Sequence, residues 1–109
     1  MAEEALLVFS TFPDAESARK VARVLIEEKL AACVNLLPQI ESVYRWKNEI
    51  ETSNEVLALI KTTIGKYQQL EQRIRALHSY EVPEIIALRL HDGLPDYLNW
   101  IEQAVQANF

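Results

Sequence analysis

Cysteine, glycine and long apolar stretches are nearly missing from this chain of 109 residues. With Cys33 the only thiol, no disulfide can close within the chain, so its stability has to come from a packed core. That one thiol, and an acidic start (Met1, Ala2, Glu3, Glu4) without the features of a secretory leader, point to a cytoplasmic protein. Gly65 and Gly93 are the only glycines, too few for a phosphate-cradling loop or a dinucleotide fingerprint, so no organic cofactor is expected. Apolar runs such as 5–9 and 85–88 fall far short of the roughly 20 residues needed to span a bilayer, which argues against a membrane partner. The net charge of −5 is scattered, with no basic block, and this disfavours nucleic acid. No Cys or His spacing suggests a zinc site and no nucleophile sits in an elbow, so no enzyme activity is expected.

Half of the residues are hydrophobic, enough for one small domain, 1–109, with a core of its own. Residues 5–11 (ALLVFST) form a short β-prone run closed by Phe12, Pro13 and Asp14. From Asp14 the period changes: Ala18, Val21, Ala22 and Leu25 mark one face of a helix that ends toward 31–34. Residues 34–46 then read as one long strand, with Pro38 marking a bulge or an edge. Lys47, Asn48 and Glu49 supply a hairpin turn, and 50–63 returns as the partner strand. A second helix over 63–78 carries Ile64, Tyr67, Leu70, Ile74 and Leu77 on one side. A fourth strand over 85–90 follows Pro83, and a last helix starts at Pro95 with Leu94, Leu98, Ile101 and Val105 on one face. The fold class is therefore α+β, a ferredoxin-like split βαβ with an antiparallel sheet, a long β2–β3 hairpin and a C-terminal helix.

Length arithmetic gives the hairpin a consequence. A compact domain of this size has a radius of gyration of roughly 13 Å and a diameter of about 34 Å, whereas a strand over 34–46 reaches about 43 Å. The hairpin must overhang, exposing Val43, Tyr44, Trp46 and Ile50. Identical copies that cover one another's hairpins have to close by rotation, which predicts a small ring, a homotrimer. A monomer remains the alternative if Pro38 folds the segment back as a loop.

Four stretches carry a family resemblance: AACVNLLPQIESVYRWKNEIE (31–51), EVLALIKTT (55–63), HSYEVPEIIAL (78–88) and DYLNWI (96–101). Together they resemble the CutA family, the divalent-cation tolerance proteins, over nearly the whole chain. The resemblance implies a ferredoxin-like homotrimer, a likeness to PII signalling proteins and a role in tolerance to copper and other divalent metals. It also implies a weakly bound copper or other divalent cation with His78 and Cys33 as metal-ligand candidates, and an intersubunit cleft with Trp46, Lys61, Tyr80 and Glu84. Some bacterial members carry a cysteine where Ser10 stands, a histidine where Leu77 stands and a proline where Ser79 stands; of that ligand set only His78 remains here. A soft copper(I) site needs thiolate or thioether ligands, so tight copper binding at His78 is not expected.

Each candidate also has a structural reading. Cys33 reads as a metal ligand or redox group, or as a small buried hydrophobe. His78 reads as a ligand, or as a cationic ring on the C-terminal dipole of the second helix. Tyr80, Glu81, Pro83 and Glu84 read as oxygen donors beside a histidine, or as a solvated edge. Trp46, Tyr44 and Lys61 read as pocket walls, or as packing anchors with Lys61 paired to an acid; Trp100 reads as core or interface. Two functions follow: a trimeric metal-tolerance protein binding ions or small ligands between subunits, and a PII-like signalling or scaffold module binding a metabolite or protein.

Overall fold

A computed structural model describes residues 3–106, so Met1 and Ala2 of the acidic start lie outside the described residues. The elements run β1 (Ala5–Phe12), α1 (Ala15–Glu27), β2 (Cys33–Trp46), β3 (Glu49–Thr63), α2 (Tyr67–Leu77), β4 (Ile86–Arg89) and α3 (Pro95–Ala104). The four strands make one antiparallel sheet in the order β2-β3-β1-β4.

Alternation along the strands divides the molecule. Leu6 and Val8 of β1 and Val56, Ala58 and Ile60 of β3 turn to one face, where α1 buries Ala18, Val21 and Leu25 and α2 buries Leu70 and Ile74. Fully burying an aliphatic side chain of this kind contributes about 1.5–3 kcal/mol, and these contacts form the core. On the opposite face α3 covers part of the sheet with Ile101 and Val105, while Leu98 is half-buried and Leu94 is exposed. Leu37, Ile86 and Leu88 remain open to solvent there.

The first helix starts at the residue its chemistry suggests. Asp14 Oδ1 accepts the Ser17 backbone N–H at 2.7 Å. That bond holds the Asp14 carboxyl below the usual carboxylate range. The helix stops earlier than its small-residue exit suggests. Lys29 takes a left-handed conformation (φ 57°), and the Leu30 and Lys29 N–H groups close back on the Leu25 and Ile26 carbonyls at 2.9 and 3.1 Å. The second helix starts later than predicted, because residues 64–66 form a turn tied to β1 by the Ile64 N–H on the Glu4 carbonyl at 2.9 Å. Ile64 and Leu77, placed on the buried side from the sequence, are exposed.

The long strand is real and carries its bulge at Pro38. Cross-strand register runs unbroken to Leu37 and Leu57, then resumes at Ile40 and Glu55. Pro38 stands in the gap, where no ladder donor is needed, and Gln39 turns the chain with φ 60°. The hairpin tip is tighter than expected: Glu49 pairs with Trp46, leaving a two-residue turn in which Lys47 and Asn48 both have positive φ (51° and 68°). The molecule measures 47 × 27 × 22 Å with a radius of gyration of 14.6 Å, longer than a compact domain of its size because the hairpin projects.

Candidate functional site

Beneath the projecting half of the hairpin lies an open groove of about 780 Å³. One wall is the hairpin, with Ser42, Tyr44, Trp46 and Glu55; the other is the connection from α2 to β4, with Tyr80, Glu81 and Glu84. Three of the four cleft candidates, Trp46, Tyr80 and Glu84, thus meet in one groove. Lys61 does not belong to it.

Glu55 anchors the groove. It shares the parity of Leu57 and Leu59 on β3, so its side chain lies on the sheet face opposite α1 and α2, and it is nevertheless only 8% exposed. Its Oε2 accepts the Tyr80 hydroxyl at 2.6 Å, which ties the α2–β4 connection to the hairpin. Burial, then the Glu55 hydrogen bond and charge, push the Tyr80 phenol well above its ordinary value, so it remains a donor through the neutral range. The Tyr44 hydroxyl lies 3.3 Å from Ser53 Oγ, steadying a second phenol on the same wall. Glu55 was not among the candidates read from the sequence. A lone charge at the head of the apolar run 56–60 was the available signal.

His78 is adjacent but turned away. It follows the last residue of α2, and its ring stacks on Phe12 (centroids 4.5 Å apart, 16° between planes) and leans on Tyr80 at 4.6 Å. The Tyr80 N–H donates to Nδ1 at 3.1 Å, so Nδ1 carries no proton, and Nε2 therefore donates to the Thr11 carbonyl at 2.7 Å. Both nitrogens are engaged in a neutral ring that clamps the α2–β4 connection onto the end of β1. A cationic ring on the helix dipole and a free imidazole ligand are both at odds with this geometry.

Cys33 and Lys61 sit at the other end of β2, directly opposite each other in the ladder. Lys61 Nζ donates to Asn35 Oδ1 at 2.5 Å and stands 5.9 Å from the Tyr97 ring centroid, so its partner is an amide and an aromatic face rather than the expected acid. Cys33 is half-buried, its Sγ 3.7 Å from the same Asn35 oxygen. Trp100 is largely exposed, its ring 5.5 Å from that of Tyr97 on α3. Among the described residues no three His, Cys, Asp or Glu side chains converge as a metal-ligand group. Copper is poorly served by what is present: the thiol lies on the Lys61 side and the imidazole has no free nitrogen.

An α+β subunit with this sheet order, an overhanging hairpin and a tyrosine-bordered groove defines a class of small sheet proteins that has known members. The family of the CutA1 divalent ion tolerance protein matches residues 6–104. The divalent-cation tolerance protein CutA of Thermus thermophilus is 46% identical over 101 residues, 93% of this chain and 96% of that protein. Protein CutA of Mus musculus is 46% identical over 99 residues, 91% of this chain but 56% of the mouse protein. The crystal structure of CutA from Xylella fastidiosa superposes with a TM-score of 0.91 at 46% identity, covering 94% of this chain and 98% of that one. This chain belongs to the CutA1 divalent ion tolerance family.

The same comparisons correct the expected compartment. A relative from Arabidopsis thaliana, 40% identical over 93% of this chain and 56% of its own length, is named chloroplastic. A structure from Archaeoglobus fulgidus, 36% identical with a TM-score of 0.91 over 94% of this chain and 99% of that one, is described as periplasmic. A cytoplasmic location therefore does not follow. A single thiol can form no internal disulfide in any compartment, so the cysteine count is silent on the matter. Among the described residues no helix is long and apolar enough to cross a membrane.

Proposed function

We propose that this chain acts as a homotrimer of ferredoxin-like subunits, each one domain, that contributes to divalent-cation tolerance without catalysing a reaction, by holding small ligands weakly in the groove beneath the hairpin. The sheet order β2-β3-β1-β4 with α1 and α2 on one face supports the ferredoxin-like description. One observation carries the assembly: the hairpin beyond the bulge exposes Val43 (66%) and Ile50 (71%) together with Tyr44 and Trp46, on the edge strand and its neighbour. A soluble subunit with so long an apolar edge calls for a cover, and a second copy offers one of the right shape on every molecule. In this reading a neighbouring hairpin walls the groove and makes the cleft intersubunit.

A divalent cation enters this account as cargo. The one chain supplies Glu81 and Glu84 on the groove, and among the described residues no third ligand converges with them, which suits a cation that keeps most of its water and binds in the range of about 0.1–1 mM. Calorimetry with Zn²⁺ and Cu²⁺ tests this. Weak binding lost in the Glu81→Gln, Glu84→Gln double variant, and unchanged in His78→Ala, is expected. Tight binding that disappears with His78 or Cys33 contradicts it.

A further inference from the structure

The groove has a feature that divalent-ion binding leaves unused: a buried carboxylate with aromatic walls and, among the described residues of its own chain, no paired cation. Glu55 is 8% exposed, and its only hydrogen bond among the described residues is the one Oε2 accepts from Tyr80. Among those residues neither Lys nor Arg forms an ion pair with it. Among the described residues the one cation lining the groove, Lys47, stands over the Trp46 ring, its Nζ 5.6 Å from the ring centroid. Glu81 and Glu84 add two more negative charges to the same lining, so Lys47 leaves it net acidic. A carboxylate so far out of water is held at a cost unless a positive charge comes to it.

The walls select which positive charge. Tyr44, Trp46 and Tyr80 present rings to a space of about 780 Å³, within the range of small-molecule sites. A small hydrated metal ion gains nothing from aromatic faces, and among the described residues no three acidic, His or Cys side chains converge around Glu55 to hold one. An ammonium carried on carbon uses both features, because its charge answers Glu55 while its apolar shell lies against the rings and gains cation–π attraction.

We propose that the groove binds a small organic cation, an amine or quaternary ammonium compound, with Glu55 as the counter-charge and Tyr44, Trp46 and Tyr80 as the enclosing walls. This deepens the small-ligand reading above and rests on it. Glu81 and Glu84 remain the rim on which a divalent ion is held.

Choline serves as the probe, beside its uncharged isostere in which a quaternary carbon replaces the nitrogen. Binding to the full-length protein is followed by calorimetry and by the Trp46 indole resonance in NMR. Choline is expected to shift the Trp46 signal and to bind at least about tenfold more tightly than the isostere. Glu55→Gln keeps an acceptor for Tyr80 and removes the charge, and is expected to weaken choline binding by about tenfold while leaving Zn²⁺ binding unchanged. Should that variant fail to fold, the choline and isostere comparison on the unmodified protein still decides. Equal binding of both compounds overturns the proposal, as does choline binding that moves Trp100 and not Trp46. Zn²⁺ binding without choline binding overturns it too and leaves the divalent-cation reading standing; the loss of both removes that reading as well.

Discussion

The two halves of the β2–β3 ladder have similar residues and opposite circumstances. Near the base, Val56, Ala58 and Ile60 lie buried beneath α1 and α2. Beyond the Pro38 bulge, Val43 and Ile50 stand in solvent with no helix over them. Hydrophobic character therefore does not by itself tell where a core lies; it tells which surfaces need a cover. In the first half the chain covers itself, and in the second the account assigns the cover to another copy.

Breaking the covered half carries the largest effect. Ile74→Ala empties a fully buried site between α2 and the sheet, with an expected loss of about 2–5 kcal/mol in urea unfolding at any protein concentration. Val43→Asp combined with Ile50→Asp is expected to do the reverse: far-UV circular dichroism unchanged, but the sedimenting mass reduced to that of a single chain. If the pair instead unfolds the subunit, the hairpin belongs to the core and the contrast fails.

The junction between the halves is the clamp of His78, Thr11, Tyr80 and Glu55. His78→Ala removes two hydrogen bonds and a stacked ring, and a loss of about 1–3 kcal/mol is expected. Hydrogen exchange at 79–84 is expected to rise in that variant. A smaller effect belongs to alkali. Burial and the Glu71 hydrogen bond push Tyr67 up to about 12, and Tyr80 is raised by burial and Glu55. A phenol whose value is higher in the folded protein stabilises it fully below the unfolded value of about 10, and that contribution is lost as pH rises toward the folded value. Stability is therefore expected to fall above about pH 10, and Tyr80→Phe is expected to flatten that fall in denaturation measured from pH 8 to 12. Asp14→Ala at the α1 cap comes last, a small drop in thermal midpoint expected to shrink as the carboxyl protonates in acid.

Much of this was legible from residues alone, and what was not has local reasons. The succession of strands and helices, the bulge at Pro38 and the overhang follow from period, proline chemistry and length. Helix ends proved harder: α1 closes on Lys29, a left-handed residue without glycine to announce it, and α2 begins late because an apolar Ile64 continues the period through a turn. Trp46, Tyr80 and Glu84 were grouped by the family resemblance, and the groove brings them together. Lys61 went astray because it stands at the base end of β3, opposite Cys33 and beside Asn35, rather than under the hairpin. His78 kept its position and lost its expected chemistry, since only the path of 78–80 reveals that both ring nitrogens are taken.

Sedimentation equilibrium of the unmodified chain across a dilution series bears most directly on whether neighbouring copies cover the hairpin. A mass three times that of the chain, retained to low micromolar concentration, is the result this account predicts. A folded single chain that persists at every concentration would contradict it.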